Sequence, residues 1–166
     1  MKKYIFGYGS LVNNRSRNTT LKRNSVSFTT IISKDFGYIR KWNYYDKNIN
    51  KIALGLEKNI SGDYINGILF NVEDDELIEL DKREIGYERI IIPNKYIDSQ
   101  NLILSENVII YTYIPTENFK IKEINKNKDN KKYLNICCDG FIKYGENFFK
   151  QFYQYTYDWA IYYKHI

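Results

Sequence analysis

"KKYIFGYGSLVNNRS", residues 2–16, is the stretch on which the fold turns. Residues 2–6 read as a strand, and Gly7-Tyr8-Gly9-Ser10 breaks it with two glycines in three residues and then a hydroxyl. Glycines so placed let a backbone come close to a partner, and a row of unshielded N–H groups forms a concavity suited to an anion such as a carboxylate. A dinucleotide-binding fold needs a third glycine at position 12, where Val12 stands, and a helix directly behind the loop, for which no apolar pattern is present. A phosphate loop needs a Gly-Lys-Ser or Gly-Lys-Thr ending, also missing. The stretch is then either a plain tight turn or one side of a binding site.

Working outward, further strand-like runs rich in β-branched and aromatic residues lie at 26–32, 51–57, 64–72, 86–92 and 107–114. "NISGD", Asn59 to Asp63, reads as a hairpin loop between two of them, and Pro93-Asn94 and Pro115 close two others. Two helices interrupt this pattern. A short one begins at Asp74 and Asp75, buries Leu77, Ile78 and Leu80, and ends at Gly86. A longer one, about 131–153, places Tyr133, Cys137, Phe141, Tyr144, Phe148 and Phe152 on one stripe. Many strands, two interposed helices and no βαβ alternation predict an α+β domain built on a mixed, largely antiparallel β-barrel or sheet with a few flanking helices.

The 166 residues fit one domain, 1–166, long enough to bury roughly two-thirds of the unfolded surface. No apolar run reaches the roughly 18 residues of a membrane span, and the few apolar residues behind Lys2 and Lys3 are too short for a signal-peptide core, so a cytoplasmic protein with no membrane partner is expected. The only cysteines, Cys137 and Cys138, are adjacent, which argues against a structural disulfide and supplies no metal pattern. The single histidine, His165, stands next to the end, so histidine triads and zinc clusters are not expected. A net charge of +5 with 17% aromatic residues raises nucleic-acid binding, but Lys, Asn, Ile and Tyr are abundant throughout, and "KIKEINKNKDNKK", 120–132, reads as a solvated loop. No nucleic-acid partner is expected.

A second constellation is "LDKREIGYERI", 80–90. Segment 73–88 holds eight acids against two bases, Lys82 and Arg83, and most of those acids fit a solvated helix face. Asp81 and Glu84, three apart, share one face at the helix end. Glu84 stands at the helix-to-strand corner, where a carboxylate can turn inward over a cleft; structural ion pairing is the competing role for both.

Taken together the chain resembles the gamma-glutamylcyclotransferase superfamily. The resemblance runs through "FGYGSLVNNRSRNT" (6–19), "FGYIRKWN" (36–43), "NGILFNVEDDELIELDKREIGYERI" (66–90) and "KYLNICCDGFIKYGENFFKQFYQYT" (132–156), with the Tyr-Gly-Ser-Leu loop and the Leu-Asp-x-x-Glu helix end as its most specific pair. Such enzymes cyclise a γ-glutamyl group, releasing 5-oxoproline and a free amine. The resemblance implies that Phe6, Gly7, Tyr8, Gly9, Ser10 and Leu11 form the substrate loop, that Glu84 is the catalytic acid/base, and that Tyr133 helps close the pocket. It implies a small γ-glutamyl substrate, whether a γ-glutamyl amine, a γ-glutamyl amino acid or glutathione, and no cofactor. The substrate's own α-amine attacks, so neither a protein nucleophile nor a metal is needed. An ordinary glutamate has a pKa of about 4.3, so a base for this amine should be raised by desolvation. Two features depart from the family: "KNKDNKKY" (126–133) replaces a frequent Pro-Ser pair ahead of the tyrosine, and leucine follows Tyr-Gly-Ser where some members have asparagine. A catalytically idle member that binds a γ-glutamyl-like ligand or a protein is the alternative.

Overall fold

The computed structural model describes residues 1–121 and 130–164. In chain order the strands are β1 (Lys2–Gly7), β2 (Ser27–Ile32), β3 (Tyr38–Asp46), β4 (Lys51–Lys58), β5 (Ile65–Val72), β6 (Tyr87–Ile91), β7 (Ile97–Ser99), β8 (Val108–Pro115) and β9 (Thr156–Tyr157). The helices are α1 (Asn14–Leu21), α2 (Asp74–Arg83), α3 (Asn130–Ile142), α4 (Glu146–Gln154) and α5 (Trp159–Lys164).

The fold is α+β, as the element order predicts. Six strands form one mixed sheet in the order β6-β8-β1-β5-β2-β7, and three form a second, β4-β3-β9; among the described residues neither closes into a barrel. Strand β1 lies inside the larger sheet, antiparallel to β5 from Lys3↔Val72 to Gly7↔Ile68 and parallel to β8 from Lys2↔Val108 to Ile5↔Tyr111. Tyr4, Ile5 and Phe6 are all buried, so both faces of β1 are covered, which is why its sequence is a continuous apolar run rather than an alternation.

Several expectations need correction. A helix does follow the glycine loop: α1 is capped by Asn13, whose side chain accepts from the Ser16 N–H at 3.0 Å. It has no apolar stripe because its buried positions are Leu21 and Arg17, the latter satisfied by hydrogen bonds. "NISGD" is a turn, with the Asn59 side chain accepting from the N–H groups of Ser61 and Gly62, but β4 and β5 belong to different sheets and form no hairpin. On α2, Leu77 and Leu80 are buried while Ile78, a single position on, turns outward and is 56% exposed. That helix is capped at its end by Glu84, two residues before Gly86.

The long helix divides into α3 and α4 at Gly145, whose φ of 108° no helix accommodates. Cys137, Phe141, Phe148 and Phe152 nonetheless stay on the buried side, because the break preserves the stripe. Strand β3 escapes a pattern search for two reasons: Arg40 and Lys41 interrupt its apolar residues, and a bulge between Trp42 and Tyr44 breaks the alternation. Cys137 is buried and Cys138 partly so, both free. His165 and most of the 120–132 stretch lie outside the described residues. No helix among those described is long and apolar enough to cross a membrane.

Candidate active site

Strand β1 ends at Gly7, and the chain turns through a 3-10 turn, Ser10–Val12, into α1. The loop between them faces the C-terminal end of α2. The hollow it borders, about 300 Å³ when space open to solvent is counted, is lined by the whole stretch 6–11 together with Glu84 and Tyr133. The structure thus brings into one pocket the eight residues that the family resemblance assigned to the site; Leu54, Tyr87 and Tyr113 complete the lining.

Glu84 reaches this position because α2 stops there. Its N–H donates to the Leu80 carbonyl at 2.9 Å as the last helical bond, and Gly86, with φ of 81°, reverses the chain into β6. A Cβ at Gly86 would also stand 2.4 Å from the Phe119 ring, so glycine is needed there for both space and conformation. The Glu84 side chain is 15% exposed. Burial raises its pKa above the ordinary glutamate value, against the opposing pull of the Arg83 and Lys51 charges.

Tyrosines form the walls. Tyr8 donates to the Tyr113 carbonyl at 2.6 Å and Tyr87 to the Leu54 carbonyl at 2.7 Å, while the Tyr133 hydroxyl accepts from the Leu54 N–H at 3.4 Å. Desolvation pushes all three hydroxyls well above the usual tyrosine pKa, so they stay neutral at physiological pH. Tyr133 comes so close to the loop that a Cβ at Gly9 would lie 2.8 Å from its hydroxyl. A side chain at Gly9 would therefore displace the end of the Tyr133 side chain. Asp81 stands apart: it lines no part of the pocket, accepts from the Tyr113 hydroxyl at 2.8 Å and pairs with Arg89 at 2.8 Å.

Three arginines hold the loop, and sequence reasoning gave none of them a role. Arg17 donates to the carbonyls of Leu11 (2.9 Å) and Val12 (3.3 Å), and Arg40 to that of Tyr8 (3.1 Å). Arg83 donates to Ser10 Oγ at 3.0 Å, to Ser16 Oγ and the Ser16 carbonyl at 2.8 Å each, and to Thr20 Oγ1 at 3.0 Å, and its Nε lies 3.3 Å from Glu84 Oε1. The loop's carbonyls and Ser10 hydroxyl are thus tied back into the protein. Among the described residues, no hydrogen bond engages the backbone N–H of Gly9, Ser10 or Leu11. The only sequence signals were charged residues where apolar ones belong: Arg40 inside a strand and Arg17 inside a helix without an apolar face.

A second hollow adjoins the first beyond Glu84, sharing Ser10, Glu84, Tyr87 and Tyr133 with it. Its further walls include Tyr44, Asp46 and Lys51. Lys51 Nζ sits 5.2 Å from the centre of the Tyr133 ring, and desolvation lowers its pKa. Among the described residues, no group of three or more His, Cys, Asp or Glu side chains is placed to hold a metal.

No protein-family model matches the sequence, and neither does any curated protein. Solved structures do match. One described as a gamma-glutamyl cyclotransferase superposes with a TM-score of 0.67 at 13% identity, over 92% of this chain and 87% of that one. An uncharacterised protein from Homo sapiens gives 0.66 at 15% identity, over 92% and 86%. A yeast gamma-glutamyl cyclotransferase described as specific to glutathione gives 0.60 at 12% identity, over 92% and 94%.

Proposed function

For a chain that carries the gamma-glutamyl cyclotransferase fold, we propose a gamma-glutamylcyclotransferase that closes a γ-glutamyl group into 5-oxoproline and releases a free amine, with Glu84 as general acid/base. The observation that carries this reading is the meeting of a largely buried glutamate of raised pKa with a glycine loop whose N–H groups are unengaged among the described residues, in one tyrosine-walled pocket.

The substrate's α-carboxylate lies against the N–H groups of Gly9, Ser10 and Leu11. Glu84, ionised, takes a proton from the α-ammonium; the freed amine attacks the γ-carbonyl carbon, and loop N–H groups steady the oxygen as it gains charge. When the carbon–nitrogen bond to the leaving group breaks, Glu84 returns the proton to the departing amine, and the second proton of the ring nitrogen passes to that amine or to water, leaving the neutral lactam, an ammonium product and an ionised Glu84. Ring closure is intramolecular, and holding the bent conformer can contribute roughly 7–11 kcal/mol in favourable cases. A raised pKa suits this exchange because it brings the carboxyl nearer to the amines it trades protons with.

The leaving half extends past Glu84 into the second hollow, towards Lys51. A γ-glutamyl amine, a γ-glutamyl amino acid and glutathione are the candidate substrates, glutathione being the compound for which the yeast neighbour is described as specific. The test is a screen of these compounds for 5-oxoproline release. Binding of 5-oxoproline without turnover of any of them would instead favour an idle, ligand-binding member.

A further inference from the structure

Arg40 has no exposed surface, yet it is a cation. All five of its N–H groups are used. Nε donates to Thr156 Oγ1 (2.8 Å), Nη1 to the carbonyls of Tyr8 (3.1 Å) and Asn66 (2.7 Å), and Nη2 to Asn66 Oδ1 (2.8 Å) and the Phe152 carbonyl (3.2 Å). The rings of Phe141 and Phe152 cover it at 5.3 and 4.9 Å. Every one of those partners is neutral. Among the described residues no carboxylate stands within ion-pair distance.

The titratable groups whose fields reach Arg40 are Tyr8 from the loop, Tyr133 and Cys137 from α3, and Asp63 from the turn before β5. Burial keeps the two hydroxyls and the Cys137 thiol protonated. Asp63 accepts instead from Tyr157 Oη and the Tyr64 N–H. Burial draws the Arg40 pKa down to about 9, which still leaves it charged at neutrality. A buried charge is costly without a counter-charge, and hydrogen bonds to neutral groups only partly offset that cost.

The position of this charge gives it a use. The Tyr8 carbonyl that Arg40 holds belongs to the peptide shared with Gly9, and no peptide bond described here is cis. In a trans peptide the carbonyl and the N–H point opposite ways, so fixing the one turns the Gly9 N–H away from Arg40. Both Tyr8 and Gly9 line the pocket.

We propose that Arg40 is the positive pole of the glycine-loop pocket. It is a positioning residue that fixes the Tyr8–Gly9 peptide, and its unneutralised charge is balanced by the carboxylate of the ligand. This inference rests on the reading of the loop as a carboxylate site, and it adds that selectivity for a charged over a neutral ligand comes from behind the loop.

The experiment compares calorimetric affinities for 5-oxoproline and for its neutral amide, 5-oxoprolinamide, in the wild type, Arg40→Lys, Arg40→Gln and Lys51→Met. The wild type is expected to prefer the carboxylate by about tenfold or more. Arg40→Lys keeps most of that preference, Arg40→Gln loses it, and Lys51→Met retains it. A merely structural Arg40 would weaken both ligands together and leave their ratio unchanged, which overturns the inference. Should Arg40→Gln not fold, a wild-type ratio near one, or a ratio abolished by Lys51→Met, overturns it equally. If γ-glutamyl compounds release 5-oxoproline while the ratio is near one, this inference alone fails. If nothing turns over and neither ligand binds, the proposed function fails and this inference with it.

Discussion

Arg83 Nε lies 3.3 Å from Glu84 Oε1, and the same guanidinium reaches Ser10 Oγ at 3.0 Å, so one side chain ties the acid of the pocket to its glycine loop. They are neighbours in sequence at the end of α2, and both line the second hollow. Arg83 also favours the ionised form of Glu84, opposing the effect of burial.

Removing that cation moves the pKa of Glu84 further up, because burial is then opposed by Lys51 with no help from Arg83. Arg83→Met is therefore expected to shift the acidic limb of the kcat/KM–pH profile to higher pH and to lower kcat/KM at pH 7 by about tenfold or more, since less of the base is ionised. Arg83→Lys should recover part of both. A profile of unchanged position shows that Arg83 does not tune the acid.

Gly9→Ala places a methyl group 2.8 Å from the Tyr133 hydroxyl in its present position. Overpacking of this kind costs about 1–3 kcal/mol, and here it displaces the wall of the pocket. KM for the γ-glutamyl substrate should rise about tenfold or more, and Tyr133→Phe in the same chain should relieve part of the rise. If KM is unaffected, the close approach of loop and α3 has no bearing on the site.

The raised pKa of Glu84 has a consequence for stability. A group whose folded pKa exceeds its unfolded value gives its full stabilisation below the unfolded pKa and loses it as pH rises through the folded one. Glu84 ionised in the pocket is thus a stability cost at pH 8 that is absent near pH 4. Glu84→Gln should melt at a higher temperature than the wild type at pH 8, with the gap closing towards pH 4. A gap that grows on acidification contradicts the raised pKa.

Asp81 offers a control on the same helix end. Its partners are Tyr113 and Arg89, its side chain is 41% exposed, and it lies outside the pocket. Asp81→Asn should cost about 1 kcal/mol of stability in denaturant unfolding, as expected for a half-exposed pair with one added hydrogen bond. Turnover should change little. Loss of turnover comparable to that of Glu84→Gln reassigns the acid.

Much of this site was legible because its signals are local. A strand that stops at Gly7-Tyr8-Gly9-Ser10, and a glutamate three residues beyond an aspartate at a helix end, keep their meaning whatever the rest of the chain does. What escaped depends on contacts distant in sequence. Helix α1 was hidden because its buried face is carried by Arg17, whose partners include the Leu11 and Val12 carbonyls, so no apolar period marks it. Strand β3 was hidden by the fork of Arg40, which joins it to Tyr8, Asn66, Phe152 and Thr156, 26 to 116 residues away. The division of α3 from α4 rests on the backbone of Gly145, where glycine alone does not announce a break.

The central claim is that Glu84 carries the proton in the release of 5-oxoproline. The most direct measurement is 5-oxoproline formation from γ-glutamyl amines, γ-glutamyl amino acids and glutathione by the wild type and by Glu84→Gln, with folding of both checked by thermal melting. The account predicts release from at least one compound by the wild type and none by the folded variant; full activity in folded Glu84→Gln contradicts it.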